Sequence, residues 1–179
     1  DVQPLEIATG YSAIANGGYK IDPWFIKKVT SEADGLLYQA DPFVVCENCV
    51  DSLNATGQPT KSAPRIIDQR VAYILNSMLE SVITEGSGNR VYRELGRDDL
   101  RGKPGTTNGP QELWFSGFNR DIVTTVFVGL DQPEPLGERE HGATVAVPIW
   151  IDLKEIEPYL NGFARPLWNW DQVIRKQFV

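Results

Sequence analysis

Apolar residues Leu5, Ala8, Tyr11, Ile14 and Ala15 recur at three- and four-residue spacing, which predicts a helix over residues 4–15. Asn16-Gly17-Gly18 then supplies the left-handed residues that stop it. Residues 19–30 read as extended, with Pro23 demoting part of the run to an edge or a bend. Residues 36–39 follow the turn at Asp34-Gly35, so the two runs can pair as a hairpin. Between residues 41 and 64 the chain has three prolines and no hydrophobic period, which predicts a long irregular loop or insertion. The clearest helix covers residues 66–83, where Ile67, Val71, Ile74, Leu75, Met78, Leu79 and Val82 form one apolar stripe. Gly86 and Gly88 end it.

The pattern then changes from helical to alternating. Residues 100–107, 112–118 and 122–130 read as strands, the last rich in Val, Thr and Phe, with a tight turn at Asn119-Arg120-Asp121. Connections this short make the three strands antiparallel neighbours. Residues 144–160 are aliphatic and predict a closing helix, with Pro148 tolerated near its first turn. Two blocks of helix around a meander predict an α+β fold, an antiparallel sheet flanked by helices. A tail of about residues 161–179 follows, in which Trp168 and Trp170 can anchor the chain to its own body or to a partner.

Composition narrows the functions available. A chain of 179 residues with 41% hydrophobic content can bury one core but not two complete domains. Its longest apolar runs, residues 122–130 and 143–151, fall far short of the roughly 20 residues needed to cross a bilayer. The first residues show no basic segment followed by an apolar run, so no signal peptide is read there. The net charge of −7 argues against tracking a phosphate backbone, which needs clustered Lys and Arg. One local concentration exists, Arg90, Arg93, Arg97, Arg101 and Lys103, but Glu94, Asp98 and Asp99 interleave with it, as in a solvated ion-paired face. Cys46 and Cys49 form a single Cys-x-x-Cys in a Pro-, Asn- and Asp-rich loop, far from the only histidine, His141. Two thiols do not make a four-ligand zinc site, and the loop lacks the strand–helix setting of a thioredoxin-like motif. A small disulfide and a pair of idle thiols both remain open. No cofactor is implied. His141, without a nucleophile nearby, reads as a loop residue.

The chemistry concentrates in Gly102-Lys103-Pro104-Gly105-Thr106-Thr107-Asn108 and the Trp114-Phe115-Ser116-Gly117-Phe118 strand that follows. A nucleotide-binding reading fails on spacing. The phosphate loop needs four residues between its first glycine and Gly-Lys-Ser/Thr, whereas five separate Gly96 from Gly102 and Pro104 follows the lysine. The residues after Lys103 also read as strand, not as the helix N-terminus that would hold an anion. Gly86-Ser87-Gly88-Asn89 is too short for a dinucleotide fingerprint and reads as a helix stop.

Lys-x-Gly-Thr-Thr-Asn followed by Trp-Phe-x-Gly-Phe resembles the third active-site motif of penicillin-binding proteins, the peptidoglycan transpeptidases. The likeness extends to Pro4-Leu5-Glu6-Ile7-Ala8, Ala15-Asn16-Gly17-Gly18, Val128-Gly129-Leu130-Asp131 and Ala146-Val147-Pro148-Ile149-Trp150. Over about residues 4–155 the chain is similar to the C-terminal half of the transpeptidase domain in bifunctional class A members. The resemblance implies acyl transfer through a serine ester, with a D-Ala-D-Ala stem peptide as substrate and β-lactams as inhibitors. By position, Lys103 would place a cation near the substrate carboxylate and the second-motif serine, and Gly105 would let the backbone approach closely. The Thr106 N–H would be one arm of the oxyanion hole, and the Thr106 and Thr107 hydroxyls are candidates to bind the carboxylate. The likeness also implies a periplasmic position in an inner-membrane-anchored bacterial protein, with an upstream glycosyltransferase domain. In that oxidising compartment a disulfide between Cys46 and Cys49 is favoured.

The chain departs from the family pattern in two respects. Pro104 replaces the usual Thr or Ser and removes a backbone N–H and a hydroxyl, so carboxylate recognition is expected to be retuned. No serine in the chain has lysine three residues later, so the nucleophile of S-x-x-K is expected on a companion N-terminal segment together with S-x-N. Ser87-Gly88-Asn89 spells S-x-N by coincidence, because that motif stands far upstream of the lysine in the family. The chain by itself is then inactive and exposes surface that should be covered. A serine β-lactamase-like hydrolase and a non-catalytic module of the same fold are the competing readings.

Overall fold

The computed structural model describes residues 2–45 and 60–160 of the chain, the side chains of 156–160 apart. Helix α1 (Pro4–Ala15) begins with Pro4 at its first turn and a reciprocal cap in which the Gln3 N–H donates to the Glu6 carboxylate at 2.8 Å. It ends at Asn16, followed by Gly17 at φ 84° and Gly18 at φ 104°. Gly18 is needed for space as well as conformation. A Cβ there would stand 2.1 Å from the Ile67 carbonyl oxygen, whose residue donates its N–H to the Gly18 carbonyl.

Strands β1 (Lys28–Ser31) and β2 (Gly35–Gln39) form the expected antiparallel hairpin. Residues 19–27 make no named strand, and Tyr19 bridges instead to Arg65. The Arg65 guanidinium donates to the Gly17 carbonyl at 2.6 Å and lies 4.1 Å from the Tyr19 ring centre, binding the α1 exit to the approach of the next helix. Residues 41–45 and 60–64 are irregular apart from the bridge Val44 to Ser62. Cys46 and Cys49 lie outside the described residues, as do Trp168 and Trp170.

Helix α2 (Gln69–Thr84) starts at Asp68, whose carboxylate accepts from the Arg70 N–H. Only Ala72, Asn76 and Ile83 of this helix are buried. Asn76 crosses to α1 by donating to the Ile14 carbonyl at 3.0 Å. Much of the predicted apolar stripe faces outward, with Val71, Ile74 and Met78 exposed by 49%, 57% and 60%. A short helix, α3 (Asn89–Leu95), follows Gly88 and was not expected. It ends at Gly96 in the left-handed conformation. The local basic cluster is ion-paired as expected, Arg90 to Glu94 and Arg97 to Asp99, while Arg101 reaches Glu80 on α2. The Arg97 guanidinium holds the Asp99 carboxyl below the usual carboxylate range.

Strands β3 (Arg101–Thr106), β4 (Glu112–Phe118) and β5 (Val123–Gly129) form the meander, in the order β3-β4-β5. A π-helical turn over Gly142–Ala146 leads into α4 (Val147–Leu160), where an uninterrupted α-helix from 144 was expected. Side chains alternate across the sheet. On one face Phe115 and Val126 join Ile83, Val91, Leu100, Val147, Trp150 and Ile151 in the core. The Phe115 and Trp150 rings meet edge to face at 5.1 Å. Helix α1 covers part of the opposite face, where Tyr11 packs edge-on against Phe118.

Gly117 sits where no side chain fits: a Cβ would meet Trp150 Cζ2 at 2.8 Å and the Arg101 carbonyl oxygen at 2.9 Å. Gly117→Ala is therefore expected to destabilise the complete domain by roughly 1–3 kcal/mol through overpacking, read as a lower midpoint of denaturant unfolding.

Candidate active site

The site is organised by which backbone groups of β3 are already used. In an antiparallel pair, opposite residues alternate between hydrogen-bonded and non-hydrogen-bonded positions. Just past the ladder the Thr107 N–H donates to the Glu112 carbonyl at 3.0 Å, which sets the phase. Arg101, Lys103 and Gly105 therefore turn their N–H and C=O toward β4, opposite Phe118, Ser116 and Trp114. Gly102, Pro104 and Thr106 turn theirs to the other edge of β3, which no strand among the described residues occupies. Pro104 thus stands where a missing N–H costs the ladder nothing. On this phase the Thr106 N–H points away from β4, toward the edge where the Lys103 Nζ meets the Pro104 carbonyl.

Side chains follow the same alternation. Lys103 and Gly105 share a face with Trp114 and Ser116, away from the Phe115–Trp150 core. Lys103 is exposed, donates from Nζ to the Pro104 carbonyl at 3.0 Å, and makes no ion pair among the described residues. Ser116 Oγ lies 3.0 Å from Thr125 Oγ1 on the same face. Trp114 packs against Phe127 at 4.5 Å between ring centres, so Phe115 fills the core while Trp114 lines the site. A Cβ on Gly105 would press the Trp114 Cβ at 3.2 Å.

These residues and α1 enclose a cavity of about 530 Å³, lined by Val2, Ile7, Tyr11, Lys103, Pro104, Gly105, Glu112, Trp114 and Ser116. Burial pushes the Tyr11 phenol pKa up, so at neutral pH it remains a hydrogen-bond donor. A larger cavity, about 610 Å³, opens at the β4–β5 turn between Trp24, Phe43 and Ile122. None of the motif residues lines it, so size does not identify the site.

Thr106 and Thr107 occupy different positions although they are neighbours. The Thr107 hydroxyl accepts from the Glu112 N–H at 2.9 Å and belongs to the β3–β4 turn. The Thr106 hydroxyl lies on the α4 side and accepts from the Gly142 N–H at 3.0 Å, which leaves its own hydrogen to donate. Gly142 is the site contact that local sequence reading missed, because it lies 36 residues away and belongs to no motif. His141 itself is exposed and donates its N–H to Thr144 Oγ1 at the start of the π-helical turn. Ser87-Gly88-Asn89 falls at the α2–α3 junction, where the Asn89 amide donates to the Thr84 carbonyl, in keeping with a helix stop.

A family model for the penicillin binding protein transpeptidase domain matches residues 1–153. Among curated proteins, penicillin-binding protein 1A of Pseudomonas aeruginosa is 42% identical over 182 residues, covering 84% of this chain and 22% of that protein. The same-named protein of Neisseria lactamica is 39% identical over 152 residues, covering 85% of this chain and 17% of its own length. The chain thus spans about a fifth of these relatives. Among solved structures, penicillin-binding protein 1A from Haemophilus influenzae superposes with a TM-score of 0.77 at 30% identity, covering 94% of this chain and 28% of that one. A Mycobacterium tuberculosis penicillin-binding protein, at 22% identity and a TM-score of 0.68, shares the fold. On its motif strand, its sheet order and these matches, the chain belongs to the penicillin-binding protein transpeptidase domain family.

Proposed function

We propose that this chain is the C-terminal part of a D,D-transpeptidase that crosslinks peptidoglycan stem peptides through a serine acyl-enzyme. The observation that carries the reading is the free edge of β3, which presents the Thr106 N–H beside an exposed lysine that has no carboxylate partner among the described residues. An extended peptide ending in D-Ala-D-Ala can lie along that edge and exchange main-chain hydrogen bonds with Gly102 and Thr106. The serine hydroxyl comes from the companion N-terminal segment that carries S-x-x-K and S-x-N. It attacks the carbonyl carbon of the D-Ala-D-Ala bond and loses its proton to a base on that segment. The oxyanion that forms accepts from the Thr106 N–H. Lys103 supplies positive charge toward the substrate carboxylate, and Gly105 keeps the approach clear. The Thr106 hydroxyl, free to donate, serves the carboxylate before that of Thr107, whose oxygen is held by Glu112. Collapse expels the terminal D-Ala, whose nitrogen takes up a proton, and leaves the serine ester. An amine from a neighbouring strand attacks the ester, forms the crosslinking amide and frees the serine.

The companion segment also accounts for apolar surface that water would otherwise meet. Its nucleophile-bearing part would seat in the 530 Å³ cavity beside Lys103, and its flank on Val71, Ile74 and Met78 of α2. The complete protein is then periplasmic and inner-membrane-anchored, and this chain alone has no catalytic activity.

Fluorescent penicillin added to the complete protein is expected to give a stable covalent adduct on the S-x-x-K serine. Rapid turnover of the drug would assign the β-lactamase-like hydrolase instead, and absence of any adduct the non-catalytic module. Lys103→Ala should slow acylation by about 10²–10³-fold, comparable to removing one transition-state donor. Pro104→Thr adds an N–H at the free edge and a hydroxyl. It is expected to change β-lactam acylation or peptide turnover by several-fold, and identical values for both would refute the retuning assigned to Pro104.

A further inference from the structure

Gly142 is buried at the start of the π-helical turn, on the α4 side of the sheet. It is held from both directions. Its N–H donates to Thr106 Oγ1 at 3.0 Å, and its carbonyl accepts from the Val147 N–H at the entrance to α4. A single residue therefore joins the end of β3 to the first turn of the closing helix. Its backbone is not among the left-handed glycines, so conformation does not explain the residue type. Space does. A Cβ at this position would stand 2.4 Å from the carbonyl oxygens of both Gly105 and Trp114, and 3.0 Å from the Gly105 nitrogen. All three are main-chain atoms of β3 and β4, and none can swing aside as a side-chain tip could.

We propose that Gly142 is a positioning residue for acyl transfer, setting both donors of Thr106 through one contact. By donating to Thr106 Oγ1 it fills one lone pair and leaves the hydroxyl hydrogen directed away from the α4 side, available to an anion. By carrying no Cβ it lets Gly105 and Thr106 pack down against the turn, which holds the Thr106 N–H at the angle the free edge presents. An irregular π-type turn suits this task better than a regular helix start, because its wider register brings residue 142 onto the strand while Val147 still closes a hydrogen bond back to it. The inference rests on the transpeptidase reading and adds to it a residue outside every motif.

The test uses the complete protein and fluorescent penicillin, with rates normalised to folded protein by near-ultraviolet circular dichroism. Gly142→Ala is expected to lower the acylation rate constant at saturating drug by about 10–100-fold, the scale of a displacement near 1 Å. Thr106→Val, which removes the acceptor, should fall by a similar factor, and Thr106→Ser should acylate at least about 10-fold faster than Thr106→Val. The two variants share the loss of the Gly142–Thr106 contact, so their losses in the double variant Gly142→Ala/Thr106→Val should be less than multiplicative. Folded Gly142→Ala protein acylating at the parental rate, or losses that multiply in the double variant, would overturn the proposal. If Gly142→Ala does not fold, equal rates for Thr106→Ser and Thr106→Val overturn it instead. Parental protein that forms no adduct removes the transpeptidase reading itself, whereas an adduct unaffected by Gly142→Ala removes only the role of Gly142.

Discussion

Among the described residues β3 pairs with β4 alone, and this is the constraint from which the rest of the site follows. Because hydrogen-bonded positions alternate, the ladder consumes the backbone of Arg101, Lys103 and Gly105 and leaves that of Gly102, Pro104 and Thr106 facing outward. The same alternation sends Lys103 to the face opposite the core. One register therefore decides which backbone groups of β3 face away from β4, which face of the sheet carries Lys103, and why a proline is tolerated at residue 104. A slip of a single residue would exchange all three assignments.

That register is protected by what lies beneath it. Phe115 and Trp150 meet in a fully buried edge-to-face contact, and Gly117 leaves room for the Trp150 ring to lie close against β4. Helix α4 is thereby fixed to the sheet, and its preceding turn carries Gly142 onto the end of β3. The core face thus reaches the end of β3 through the Gly142 N–H, which meets the Thr106 hydroxyl. On the other face packing is looser: Lys103, Trp114 and Ser116 look into a cavity that, among the described residues, Val2 and α1 border from the far side. The outward apolar residues of α2 belong to the same condition.

Local pattern was enough for the elements whose signals are themselves local. The helix at 4–15 has an apolar period, a first-turn proline and a glycine stop, and the three strands are separated by turns too short for any other pairing. Helix α3 escaped notice because its seven residues have Val91 as the only buried position among several charges, and because Gly88 before it reads as a stop. The last three residues of the π-helical turn read as plain helix since Val145 and Ala146 fit either geometry. Thr106 and Lys103 could be picked out from their motif, but the direction of each group depends on the pairing phase. Gly142 was beyond sequence reading altogether, since its reason for being glycine is the backbone of strands 28 to 37 residues earlier.

Amide hydrogen exchange at β3 in the complete protein, before and after acylation by a β-lactam, tests the free-edge account most directly. The Lys103 and Gly105 amides, bonded to β4, should exchange slowly in both states. The Thr106 amide should exchange quickly in the free protein and at least about 10-fold more slowly once the acyl carbonyl occupies the edge. A Thr106 amide whose exchange is unchanged in fully acylated protein would contradict its assignment as the oxyanion donor.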